Sequence, residues 1–177
     1  TSHAGIIAER VPGARLAAVA DPRPEAAQAL ADRYGARAFA DPVELINDPE
    51  IQAVIIAASS EAHADLIVAA AAAGKAIFCE KPMSLNLADA DRALAAAEAA
   101  GVILQVGFNR RFDRGFAAAH EAVSSGAIGS VQLMRSLTRD PGLANPATVP
   151  PWTIFLLTLI HDFDALLWLN PGADPTE

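Results

Sequence analysis

The segment AVIIAASSEAHADLIVAAAAAGKAIFCEKP, residues 53–82, decides the fold. Residues 53–57 are apolar at every position, which suits a strand covered on both faces. Residues 61–73 form an Ala-rich helical run, and Gly74 supplies its stop, because glycine takes the left-handed conformation at little cost. Residues 76–79 are a second strand without alternation. Two such strands joined by a helix read as a parallel pair in a sheet covered on both sides.

The same unit repeats outward in both directions. Upstream, residues 16–20 read as a buried strand ending at Asp21-Pro22, residues 24–34 as a helix stopped by Gly35, and residues 37–39 as a short strand. Asp41-Pro42 then opens a small helix, the acid as N-cap and the proline in the first turn. Downstream, residues 87–100 are helical and Gly101 ends them; residues 102–106 form a strand, 112–124 a helix, 131–137 a strand and 153–169 a helix. The fold class is α/β with a doubly wound parallel sheet.

Composition narrows the function. Of 177 residues, 53% are hydrophobic, enough for a packed core, and the formal charge of −8 argues against a nucleic-acid partner, whose phosphates need Lys and Arg. No apolar run approaches the roughly 18 residues needed to span a bilayer. A basic leader followed by an apolar core is also absent, so a cytoplasmic protein is expected. One cysteine, Cys79, excludes an internal disulfide framework and a multi-cysteine metal site, and the four histidines show no metal-ligand spacing. Lysine occurs only at positions 75 and 81 in a chain that otherwise uses arginine.

In a parallel sheet of this kind ligands lie beyond the carboxyl ends of the strands. Asp21 ends a strand suited to the second place in a dinucleotide-binding unit, where a carboxylate accepts from both ribose hydroxyls and favours NAD. Arg23 also tolerates a 2′-phosphate, so NADP stays possible, and the Asp-Pro pair alone is an ordinary turn former. Glu80-Lys81-Pro82 follows a buried strand. A desolvated ammonium there can donate to a substrate hydroxyl and stabilise alkoxide character as hydride departs. Position alone leaves a surface ion pair equally open. The Lys-Pro bond is a candidate for the cis form.

The string AIFCEKPMSLNLADADRALAAAEAAGVILQVGFNRRFD, residues 76–113, resembles the glucose–fructose oxidoreductase/inositol dehydrogenase family, Gfo/Idh/MocA, through its E-K-P and G-F-x-R-R-F-D turns. Residues 12–22, the 59–63 loop, Thr138-Arg139-Asp140-Pro141 and Ile160-His161-Asp162-Phe163-Asp164 are similar as well, so the resemblance covers essentially the whole chain. It implies a Rossmann-type NAD-binding domain over 1–127 and the beginning of an α+β substrate and oligomerisation domain over 128–177. It implies a cytoplasmic, metal-independent enzyme that moves a hydride between a cyclitol or sugar alcohol, inositol-like, and NAD, with homo-oligomerisation. Lys81 becomes the catalytic lysine and His161 the general base, a role suited to an imidazole because it titrates near neutral pH. Asn109, Arg110, Thr138 and Asp140 would contact substrate. Asp21, Arg23, Ser59, His63, Glu80 and Lys81 would line the cofactor site.

Two departures stand out. The family carries an aspartate four residues before the histidine, on the same helical face, where this chain has Leu157; Trp152-Thr153 replace a small glycine pair. Weak or altered catalysis is therefore expected, with Asp140 as a substitute acid. No G-x-G-x-x-G occurs either. Its absence implies that the family's first strand, which lies between the second and fourth, and its phosphate loop are missing from this sequence. It also leaves open a non-catalytic nucleotide-binding relative acting as a sensor or partner-binding protein.

Overall fold

The computed structural model describes residues 2–139, 150 and 152–172. The chain divides into two compact units, Thr1–Val106 and Gly107–Glu177.

The first unit runs α1 (Ser2–Arg10), β1 (Ala18–Ala20), α2 (Pro24–Tyr34), β2 (Arg37–Phe39), α3 (Pro42–Asn47), β3 (Ala53–Ile56), α4 (His63–Ala72), β4 (Ala76–Cys79), α5 (Leu87–Ala100) and β5 (Leu104–Val106). Local chemistry explains most boundaries. Asp41 Oδ1 accepts from the Val43 N–H at 2.8 Å, and Asn86 Oδ1 from the Asp89 N–H at 2.9 Å, satisfying amides that a helix start leaves open. Gly35 and Gly101 end α2 and α5 with φ of 66° and 65°, where a Cβ would be strained.

All strand pairs are parallel. β1 pairs with β2, and β4 lies between β3 and β5 with Ile56 opposite Cys79 and Cys79 opposite Val106. The ladder is interrupted between β1 and β3, giving two sheets. The interruption falls between the strands that the expected order reads as second and fourth.

The core lies where α4 covers β3 and β4. Ile67, Ala70 and Ala71 of α4 pack with Val54, Ile56, Ile77 and Cys79, and Ala93 of α5 completes the cluster. The abundant alanine has a use here, since short side chains let α4, α5 and the sheet approach closely. Full burial of Ile67 contributes about 2–3 kcal/mol. Lys75 is structural: its ammonium is buried and donates to the carbonyls of Asp48 and Ile51 at 2.9 and 2.6 Å. Burial raises the Cys79 thiol to about 12, so it stays protonated at neutral pH.

The second unit contains α6 (Arg114–Ser124), a π-helical stretch (Ile154–Leu159) and α7 (Ile160–Leu169). Asp113 caps α6 by accepting from the N–H groups of Gly115 and Phe116 at 2.8 and 3.2 Å. The strand expected over 131–137 does not form. A strand needs a neighbour for its backbone groups, and no ladder partner is present for it among the described residues. Leu133 and Leu137 are correspondingly exposed. The helix expected over 153–169 is present but begins with π-helical turns.

Candidate functional site

In the first unit the candidate residues collect at the carboxyl ends of the strands. Beyond β1, Asp21 Oδ1 accepts from the Arg23 backbone N–H at 2.9 Å and from its Nε at 3.2 Å. These hydrogen bonds hold the Asp21 carboxyl below the usual carboxylate range, so it is ionised at neutral pH. Its side chain is one-third exposed, leaving acceptor capacity turned to solvent.

Beyond β3, Ser59 is exposed and precedes a single 3-10 turn, Ser60–Ala62, that leads into α4. Beyond β4, the Glu80 N–H extends the ladder by donating to Ile56 O at 2.9 Å. Glu80 Oε1 lies 2.7 Å from His3 Nε2 of α1, and its Oε2 accepts from the Lys81 N–H at 3.3 Å. The Lys81–Pro82 bond is cis, as the sequence suggested. Lys81 is half-buried, whereas Pro82 is fully buried. Behind this turn His63, 1% exposed, has Nδ1 at 2.7 Å from Pro82 O and Nε2 at 3.0 Å from Ala58 O. His3 as a partner of Glu80 was not evident from the sequence, because no local pattern links an N-terminal helix to a loop far along the chain.

The second unit holds a separate group. Asn109, Arg110, Phe112, Asp113, Phe116 and His161 line an open hollow. Asn109 and Arg110 belong to a 3-10 turn, Asn109–Phe112, and His161 to the first turn of α7. Arg110 is tied down within the hollow wall: Nη1 lies 2.9 Å from Asp162 Oδ1, Nη2 donates to Thr138 Oγ1 at 2.9 Å, and the guanidinium lies 5.5 Å from the Phe116 ring centroid. Thr138 Oγ1 lies 2.7 Å from each Asp162 oxygen, and Ser136 Oγ also donates to Asp162. Burial alone would raise the Asp162 carboxyl, but these donors outweigh it and hold the group at about 2. Beside it Arg111 grips Asp164 with Nε and Nη2 at 3.0 and 2.6 Å.

Thus the structure groups Asn109, Arg110 and His161 and ties Thr138 to them through Arg110 and Asp162, while Asp140 lies outside the described residues. Asp162 is the buried acid that sequence reasoning passed over as part of a motif. Leu157 falls in the π-helical stretch, so the four-residue interval to His161 is not one regular α-helical turn.

Comparison with known proteins follows the same lines. Residues 1–108 match the sequence profile of the Gfo/Idh/MocA oxidoreductases, described as an oxidoreductase family with an NAD-binding Rossmann fold. The chain is 43% identical over 157 residues to the myo-inositol 2-dehydrogenase of Thermotoga maritima, covering 84% of this chain and 45% of that protein. It is 40% identical over 177 residues to the NAD(+)-dependent scyllo-inositol 2-dehydrogenase of Bacillus subtilis, covering 98% of this chain and 51% of that protein. The crystal structure of Lactobacillus casei myo-inositol dehydrogenase with NAD(H) and myo-inositol matches with a TM-score of 0.88 and 31% identity, over 95% of this chain and 50% of that one. The chain spans about half the length of the curated relatives it matches.

Proposed function

Because the chain belongs to the Gfo/Idh/MocA family of NAD-binding oxidoreductases, we propose that it serves an NAD-dependent dehydrogenation of a cyclitol, with myo- or scyllo-inositol as the substrate class. The observation that carries this reading is the 43% and 40% identity to two inositol dehydrogenases, spread over most of the chain rather than confined to one motif. In this reading residues 1–127 serve the nucleotide and 128–177 open the part that takes the substrate and forms a homo-oligomer.

The donor set suits a nicotinamide nucleotide at its ribose side. Asp21 is an ionised, partly exposed carboxylate at a strand end, and it accepts from the ribose hydroxyls, while Arg23 braces it. Ser59 and Glu80 line the same strand ends, and His63 serves them through the loops it joins. The nicotinamide, when bound, accepts the hydride from the substrate carbon.

The remaining chemistry belongs to side chains. Lys81 donates to the substrate hydroxyl oxygen and stabilises the negative charge that builds there. His161 removes the hydroxyl proton, so the alcohol leaves as a ketone with its proton on the imidazole. Asn109 and Arg110 orient the polyol. Thr138 holds Arg110 in place, and Asp140 adds a polar contact.

Purified protein mixed with NAD and myo-inositol or scyllo-inositol is expected to raise the absorbance of reduced nicotinamide. Thermal-shift measurements with NAD report binding independently. Absence of turnover with every cyclitol tried, alongside clear stabilisation by NAD, would overturn the enzymatic reading.

A further inference from the structure

His63 is the first residue of α4, and its ring is closed off from solvent, with Ala64 at 4% and Ile67 at 0% exposure anchoring the same helix. Buried imidazoles need partners for both nitrogens. Here neither partner is a side chain or a helix amide. Nδ1 meets the carbonyl of Pro82 and Nε2 the carbonyl of Ala58, at 2.7 and 3.0 Å. Ala58 follows β3 and Pro82 follows β4, and these strands are adjacent and parallel. The ring therefore bridges the two loops at the carboxyl ends of neighbouring strands.

Lys81 is bracketed by this arrangement. On its N-terminal side the Glu80 N–H is bonded to Ile56 O at 2.9 Å, which continues the ladder. On its C-terminal side Pro82 O is held by His63. Nδ1 is the ring nitrogen within reach of Pro82 O, at 2.7 Å. The backbone on both sides of Lys81 is thereby held, which gives the lysine side chain a defined root.

We propose that His63 is a positioning residue for Lys81, acting through the Pro82 carbonyl rather than on any ligand. The proposal rests on the dehydrogenase reading for its kinetic consequence, but not for its geometry. Misplacement of a catalytic group by about 1 Å lowers turnover by up to roughly a hundredfold.

Two substitutions separate the two ring contacts. His63→Asn keeps an amide donor near the place of Nδ1, and His63→Gln keeps one near the place of Nε2. In the protein assayed with NAD and myo-inositol, H63N is expected to keep kcat within about threefold, and H63Q to lose roughly ten- to a hundredfold in kcat with KM little changed. The second readout needs no turnover. Lys81 is one of two lysines, and the buried Lys75 is an internal reference, so acetic anhydride labelling followed by mass spectrometry reads Lys81 alone. Its labelling rate relative to Lys75 is expected to shift in H63Q and to stay at the wild-type value in H63N.

Equal labelling in wild type, H63N and H63Q would overturn the proposal. So would losses in both variants that follow their melting temperatures alone. An absence of cyclitol turnover in the unsubstituted protein, with the labelling pattern as expected, would instead sink the dehydrogenase reading and leave the His63 assignment standing.

Discussion

Half-buried Arg110 and buried Asp162 form an ion pair, Nη1 to Oδ1 at 2.9 Å, in which the acid also takes hydroxyl donors from Ser136 and Thr138. Its carboxylate is 5% exposed and is the group that fastens the 109–112 turn to the first turn of α7. Arg110 reaches the hollow from a fixed base, while the acid's own oxygens are occupied by donors.

The depressed Asp162 titration has a defined consequence for stability. Its folded value of about 2 lies below the ordinary aspartate value of 3.8, so the stabilisation is present above about pH 4 and is lost as pH falls toward 2. The magnitude is roughly 2 kcal/mol. Denaturant unfolding at a series of pH values is expected to show this loss in the wild type and not in Asp162→Asn. Parallel curves for the two proteins would refute the assignment.

Arg111→Ala leaves Asp164, 8% exposed, without its bidentate partner. A loss of about 1–3 kcal/mol is expected, below the usual figure for a fully buried pair because Arg111 is 44% exposed. The guanidinium also lies 5.8 Å from the Trp168 ring, which stacks on His120 at 4.2 Å, so tryptophan fluorescence should change with the substitution. Unchanged stability and emission would contradict this role.

Asp21→Ser removes the carboxylate proposed to accept from the ribose and takes away the partner of Arg23. The KM for NAD is expected to rise roughly tenfold, about 1.4 kcal/mol, with a relative gain for NADP. Steady-state kinetics with both nucleotides test this, and an unaltered NAD to NADP ratio would exclude Asp21 as the specificity group.

Leu157 gives His161 no acidic neighbour at that position. Leu157→Asp is expected to raise kcat by roughly tenfold or more, by analogy with acids that orient a catalytic imidazole. Turnover that stays at the unsubstituted level would show that the π-helical stretch carries residue 157 out of reach of the histidine.

Much of the first unit was readable from single segments. The boundaries of α2, β2, β4 and α5 agree with the stops at Gly35 and Gly101 and the buried runs between them. The strands expected over 16–20 and 102–106 each start two residues later, at Ala18 and Leu104, because the apolar run begins ahead of the first paired residue. The reading failed at 131–137, where β-branched and apolar residues suggested a strand but no neighbouring backbone completes it. Candidate side chains after each strand were identified because topology alone places them at the carboxyl ends.

The sequence by itself determined the parallel α/β pattern, the helix caps and the placement of Glu80-Lys81 beyond a buried strand. These follow from patterns within one element and its neighbours: periodicity, glycine stops and capping side chains. Only the tertiary structure decided that His63 spans Ala58 and Pro82, that Lys75 serves two carbonyls, and that Asp162 gathers Arg110, Ser136 and Thr138. All of these partners but Ala58 lie 19 or more residues away along the chain, and a buried polar atom takes whichever donor or acceptor packing brings within reach.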